Sequence, residues 1–303
     1  MKIRSFIKGS GIGFVLFLGV CSCQMNKKSE KVSDRVSVVP AKSKYFEYSK
    51  EKDIIVSGHR GGRLPGLPEN SLELLQFVTD SMSVIFEIDP RLTKDSIIVL
   101  HHDAKLDRTT TGTGNLSAYT FQELQADVRL EDYEGNPTNL KVPRLKDVMA
   151  WAKGKTVLNL DKKDVPPAMI VSLIKEMDAQ DYMMVTVHNA DQAKYYYKHL
   201  PGVMQSVFIR NSEEYESFAS SGVPWHNIIA YVGRTIDEEN AEIIEKLHVH
   251  GVSCMVSYAP THDKLGDKEE RKKAYQKELL STNPDIIESD LPLEIRSVLQ
   301  AKK

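Results

Sequence analysis

Cysteine is scarce in this chain of 303 residues: there are three, and two of them, Cys21 and Cys23, lie at the extreme N-terminal end. Beyond that end only Cys254 remains, so no internal disulfide can form there. The apolar neighbours Val252, Met255 and Val256 mark Cys254 as a buried, inert thiol. Charge of one sign is also missing. Forty Lys and Arg stand against 42 Asp and Glu, giving a net charge of −2 and no basic footprint for nucleic acid. The first apolar run, 12–20, is too short to cross a bilayer as a mature helix. No repeat of fixed period and no low-complexity tract follows it. These absences leave an ordinary globular composition, long enough for one large domain or two small ones.

What is present begins with the leader. Lys2, Arg4 and Lys8 precede the apolar run, as in a secretory signal peptide over 1–22. It ends Val20-Cys21-Ser22-Cys23-Gln24, which resembles a bacterial lipoprotein box. The small Ser22 makes Cys23 a better lipidation site than Cys21. A polar stretch, 23–50, without periodicity reads as the lipidated end and a flexible tether. The expected location is the cell envelope, periplasmic or surface, with the chain anchored to a membrane through lipid.

From residue 51 to 303, short β-branched runs alternate with amphipathic stretches. Strands are expected at 54–57, 84–89, 97–100, 157–160, 183–187, 206–209, 228–232, 252–256 and 286–288. Helices are expected at 71–82, 168–180, 191–200, 212–220, 237–248 and 268–280. Such alternation indicates a parallel sheet covered by helices. Without leader and tether roughly 258 residues remain, a size that suits a (β/α)8 barrel. Periodicity alone does not separate a barrel from an open doubly wound sheet. The segment of about 106–143, with Thr109-Thr110-Thr111-Gly112 and Gly135-Asn136-Pro137, breaks the alternation and reads as an excursion.

The chemistry-bearing residues sit where apolar runs stop. Ser57-Gly58-His59-Arg60-Gly61-Gly62 offers a proton carrier, a forked donor for phosphate and backbone free to approach a ligand. In Phe86-Glu87-Ile88-Asp89-Pro90 the two acids alternate, so they share one strand face at roughly 6–7 Å. Paired carboxylates repel unless a cation or strong donors neutralise them, and hard cations prefer such oxygens. Leu100-His101-His102-Asp103 closes another run, and adjacent histidines point to opposite faces, so only one can enter a site. Leu160-Asp161-Lys162-Lys163 ends a strand with an acid and, two residues on, a lysine on the same face.

In order, His-Arg-Gly, Glu-Asn-Ser, Glu-x-Asp, His-Asp-x-x-Leu-x-Arg-Thr and Asn-Leu-Asp-x-Lys resemble the glycerophosphodiester phosphodiesterase family. The closing Ile286-Ile287-Glu288-Ser289-Asp290-Leu291-Pro292 is similar to that family's last strand, so the likeness runs from about residue 54 to 292. It implies a TIM-like (β/α)8 barrel with a small insertion after the second strand region. It implies a divalent cation, Ca²⁺ or Mg²⁺, on Glu87, Asp89 and Asp161. His59 and His102 would be general acid and base, in an order the residues leave open. Arg60 and Lys163 would bind the phosphodiester, and His188, at the end of the strand expected at 183–187, is a further pocket candidate. The implied reaction yields glycerol 3-phosphate and an alcohol, with a neighbouring glycerol hydroxyl as a possible attacker. The partner expected is a small glycerophosphodiester, with no nucleic acid and no protein. Phospholipase D-type hydrolysis on the same fold and a non-catalytic tethered binding protein are the alternatives. Two features depart from the family pattern: Asp161 replaces the usual Glu, and 254–258 lacks the usual Trp.

Overall fold

A computed structural model describes residues 42–302. The signal peptide, Cys21, Cys23 and most of the tether lie outside the described residues. Valine, isoleucine and methionine dominate eight short strands buried on both faces, the composition expected when helices cover a parallel sheet. They are β1 (Ile55–His59), β2 (Ile85–Ile88), β5 (Leu158–Leu160), β6 (Met183–Val187), β7 (Met204–Phe208), β8 (Ile228–Gly233), β9 (Cys254–Ser257) and β10 (Ile286–Ser289). They close into a parallel barrel in the order β1-β10-β9-β8-β7-β6-β5-β2. The fold is therefore a (β/α)8 barrel, and the open-sheet alternative falls away.

Two sequence expectations need correction. The run 97–100 is not a barrel strand. It forms β4 (Ile98–Leu100), paired antiparallel with β3 (Pro90–Leu92) in a hairpin outside the barrel. The excursion therefore starts at Pro90, earlier than residue 106. With α3 (Phe121–Asp127) it builds its own small core of Val99, Leu106, Leu116, Leu124, Val128, Leu130 and Val142. The tether also stops early. Helix α1 (Lys42–Phe46) ends on Phe46, which is 1% exposed and shares one apolar cluster with Ile55, Ile85, Val157, Met184, Met204, Ile229, Met255 and Ile286. Seven of those eight residues lie on barrel strands and Val157 immediately precedes β5, so the cluster fills the low end of the barrel interior, and Phe46 covers it.

The outer helices are α2 (Leu72–Ser81), α4 (Leu145–Ala152), α5 (Pro167–Glu176), α6 (Ala190–His199), α7 (Ser212–Ala219), α8 (Glu238–Val249), α9 (Lys268–Ser281) and α10 (Pro292–Lys302). Side-chain acceptors start several of them: Ser71 takes the Leu74 N–H, Asn189 that of Gln192 and Asp237 that of Asn240. Among the described residues no helix is long and apolar enough to cross a membrane.

Alternation along each strand places interior residues in levels. Above Ile55 come Ser57 and His59; above Ile85, Glu87 and Asp89; above Val157, Asn159 and Asp161. Register sets His59 beside Glu87 and Glu87 beside Asn159. After β1 the chain turns sharply through Arg60, Gly61 and Gly62, with φ of 55°, 91° and 122°. A Cβ on Gly61 would lie 2.9 Å from a methyl of Leu75. Gly61→Ala should therefore cost about 2 kcal/mol or more in urea unfolding. Gly202→Ala, where nothing lies within 4 Å, should stay within about 0.5 kcal/mol. Equal costs at the two positions would contradict this account of the turn.

Candidate active site

Strand C-termini bring the acids together. Asp89 and Asp161 each follow the last residue of their strand, β2 and β5, while Glu87 lies one level down on β2. One carboxylate oxygen from each of Glu87, Asp89 and Asp161 lies within 4.8 Å of the others. Glu87 is 6% exposed and Asp89 is fully buried. Burial pushes the Glu87 carboxyl well above the usual range, and repulsion from Asp89, Glu288 and Asp161 adds to it. Burial also raises Asp89, but Lys163, His102, an Asn70 hydrogen bond and Arg60 outweigh it and bring its value down.

Cations of the chain offset part of this charge. The Lys163 ammonium is 2.5 Å from Asp161 and 3.0 Å from Asp89. Its sequence-expected partner was phosphate; here its contacts are two carboxylates. Asn70 clamps Asp89 by donating to Oδ2 at 2.7 Å and accepting the Asp89 backbone N–H at 3.1 Å. The left-handed backbone at Arg60 aims its N–H at Glu87 Oε2, 3.1 Å away, while its guanidinium lies 3.3 Å from Glu69.

Each histidine is held through Nδ1 by a carboxylate. His59 ends β1 and lies 2.6 Å from Asp290, the residue after β10. Its Nε2 is 3.9 Å from Glu87. His102 is carried on the excursion and not on a barrel strand, and its Nδ1 lies 2.6 Å from Asp103. Backbone holds it in place: His101 N–H donates to Asp89 O, and Arg91 donates to His102 O at 2.7 Å. His101 points the other way, buried on Asp103 O and Thr109. Only one of the adjacent pair enters, as alternation requires.

Several partners were quoted in sequence motifs without a role. Arg108 donates to Asp103 at 2.6 Å and to Glu69 at 2.7 Å, so one guanidinium joins the supports of His102 and Arg60. Asp290 also meets Lys264 at 3.1 Å, and its N–H donates to buried Asp263. Glu288, one level below Asp290 on β10, is buried and its carboxyl is raised by desolvation, with Asp161 and Asp290 adding repulsion. The spacing of Glu288 and Asp290 repeats that of Glu87 and Asp89, which was the available signal.

His188 lies beside this cluster rather than in it. It follows β6, is exposed, and stacks on Phe208 with ring centroids 4.6 Å apart. Phe208 in turn meets Tyr231 at 4.6 Å and the Arg210 guanidinium at 5.3 Å. An aromatic wall thus exists without the missing Trp; Tyr258, in that region, is buried against His262 and Tyr275 instead.

Comparison with known proteins identifies the family. Residues 59–212 match the model of the glycerophosphoryl diester phosphodiesterase family. A glycerophosphoryl diester phosphodiesterase from Parabacteroides distasonis is 45% identical, with a TM-score of 0.83 over 86% of this chain and 90% of that one. The chain belongs to this family. Glycerophosphodiester phosphodiesterase 1 of Bos taurus is 36% identical over 97 residues, 30% of this chain and 28% of that protein. The chain spans at most 58% of the length of the curated relatives it matches first. The fold is shared with an Oleispira antarctica phosphodiesterase, solved with the product sn-glycerol-3-phosphate, at 20% identity and TM-score 0.64 over 85% of this chain and 99% of that one.

The His59–Asp290 pair carries a pH signature. Burial alone would lower His59, but the Asp290 hydrogen bond and the charge of Glu288 raise it above 6.5. Burial alone would raise Asp290, but His59 and Lys264 hold it at about 2. The Asp290 contribution is present above its ordinary value and lost as pH falls toward 2. The His59 contribution is present below 6.5 and lost as pH rises past its elevated value. Asp290→Asn should thus cost about 2 kcal/mol in urea unfolding at mildly acid pH, and less at pH 2 or at strongly alkaline pH. A cost independent of pH would contradict the pairing.

Proposed function

We propose that this chain hydrolyses glycerophosphodiesters to glycerol 3-phosphate and an alcohol, with a divalent cation and two histidines. The observation that carries the reading is the convergence of three carboxylates and two carboxylate-anchored imidazoles at one barrel mouth. Family membership and the 45% identical relative support it.

The residues fit a hard cation. All three donors are carboxylates, and the raised Glu87 is the mark of acids crowded more closely than the neighbouring Lys163 neutralises. Glu87, Asp89 and Asp161 would hold the ion, which supplies Lewis-acid stabilisation of phosphate charge. Asp161, shorter than the family's usual Glu, still brings an oxygen within reach of the other two. Arg60 supplies a planar donor to the non-bridging oxygens, and Glu69 sets its direction. Each Nδ1 is taken by Asp290 or Asp103, which leaves each Nε2 for proton transfer. One imidazole takes the proton of the attacking hydroxyl, and the other hands a proton to the departing alkoxide oxygen. Lys163 and His188 complete the polar side of the mouth, and Phe208 and Tyr231 exclude water beside it.

His59→Ala and His102→Ala should each lower turnover of glycerophosphocholine by roughly a hundred- to ten-thousand-fold. Chelator should abolish the wild-type activity, and Mg²⁺ or Ca²⁺ should restore it. On a diester with an aryl leaving group, which departs without protonation, one histidine variant and only one should recover. Recovery of both, or full activity of either on glycerophosphocholine, would overturn the scheme.

We also propose an envelope location through lipid on Cys23, supported by the charged leader, apolar run and Ser22-Cys23 pair. Cys23→Ala should move the protein from the membrane to the soluble fraction and remove labelling by radioactive palmitate. Unchanged labelling would refute this attachment.

A further inference from the structure

At the end of the barrel opposite the histidines, three side chains of metal-ligating type converge. His248 lies in the last turn of α8, Cys254 opens β9, and Asp285 immediately precedes β10. A nitrogen, a sulfur and an oxygen, one from each, all lie within 4.8 Å of one another. His248 Nε2 is 2.8 Å from Asp285 Oδ2, and the same oxygen accepts the Cys254 backbone N–H at 2.7 Å. Among the described residues the thiol has a weak polar contact with Val252 O at 3.9 Å. Cys254 is buried, whereas the His248 and Asp285 side chains are 24% and 16% exposed. The cluster therefore has a closed wall behind the sulfur and a solvent entry in front.

A second observation concerns the histidine ring. Tyr48 lies flat on it, with centroids 3.5 Å apart and planes 3° from parallel. The stack fixes the plane of the imidazole and so the direction in which Nε2 faces Asp285 and Cys254.

We propose that His248, Cys254 and Asp285 bind one transition-metal ion of the zinc class. Thiolate, imidazole and carboxylate suit Zn²⁺ or Co²⁺, with water as fourth ligand, and do not suit Ca²⁺ or Mg²⁺. On binding, the S–H bond breaks, its proton leaves to solvent, and a sulfur–metal bond forms. The His248–Asp285 hydrogen bond gives way to two metal bonds, with ring and carboxylate moving only about an ångström. The ion would fasten the end of α8 to the starts of β9 and β10, and through Tyr48 to the segment that follows α1. It is a structural site, independent of the reaction at the other end.

The test is titration of Co²⁺ into the full-length chain, with excess Mg²⁺ present and a non-chelating reductant. The expected result is one equivalent bound, with a thiolate-to-cobalt charge-transfer band that Zn²⁺ removes. Cys254→Ser should abolish the band. His248→Gln should weaken binding at least about tenfold, and Mg²⁺-supported hydrolysis should be unchanged in both. Absence of the band, or its survival in C254S, would overturn the proposal and leave Asp285 as a hydrogen-bonded clip. Should C254S fail to fold, undiminished affinity in both H248Q and D285N would overturn it equally.

Discussion

The organising constraint of this molecule is repulsion among carboxylates that its own strands force together. Glu87 and Asp89 share a face because alternate residues of a strand must, and the β2–β5 register brings Asp161 to the same place. Burial removes the water that would screen them, so the Glu87 carboxyl rises well above its usual range. Lys163, the Arg60 N–H and Asn70 each answer part of that charge. The remainder is what a doubly charged ion would neutralise, and the histidines and Arg60 are arranged around that spot.

Around the acids, the chain supports its proton carriers from distant segments. His59 is steadied by Asp290, 231 residues away, because closing the barrel sets β10 beside β1. His102 reaches the mouth on a hairpin that lies outside the barrel, and Arg108 ties its Asp103 to the Glu69 that holds Arg60. Closure of the sheet thus fixes the ring of His59, and folding of the excursion fixes that of His102. The low interior layer sealed by Phe46 gives the barrel a firm floor, so the polar levels above it are built on packed hydrocarbon.

Much of this was legible in one dimension. Strand–helix alternation gave the layers, and two-residue spacing put Glu87 with Asp89 and allowed only one of His101 and His102 to enter. The family resemblance supplied Asp161 as the third acid and paired His59 with His102. What periodicity missed was non-local. Nothing near 97–100 distinguishes a hairpin strand from a barrel strand, since both are short and β-branched. The burial of Phe46 depends on residues gathered from around the barrel, and the partner of Asp290 depends on barrel closure. The contacts of Lys163 with Asp89 and Asp161 were not legible either, since they depend on the register of β2 and β5. His188 ends its strand as expected, and its stack on Phe208 comes from the β6–β7 pairing.

The central claim is that one hard cation occupies the space between three carboxylates at the barrel mouth. Crystals soaked in Mn²⁺, an anomalous scatterer with similar ligand preference, test it directly. The account predicts one strong peak at the mouth, with oxygens of Glu87, Asp89 and Asp161 at about 2.0–2.6 Å. A mouth without a peak, or a peak bound to fewer than two of these residues, would contradict it.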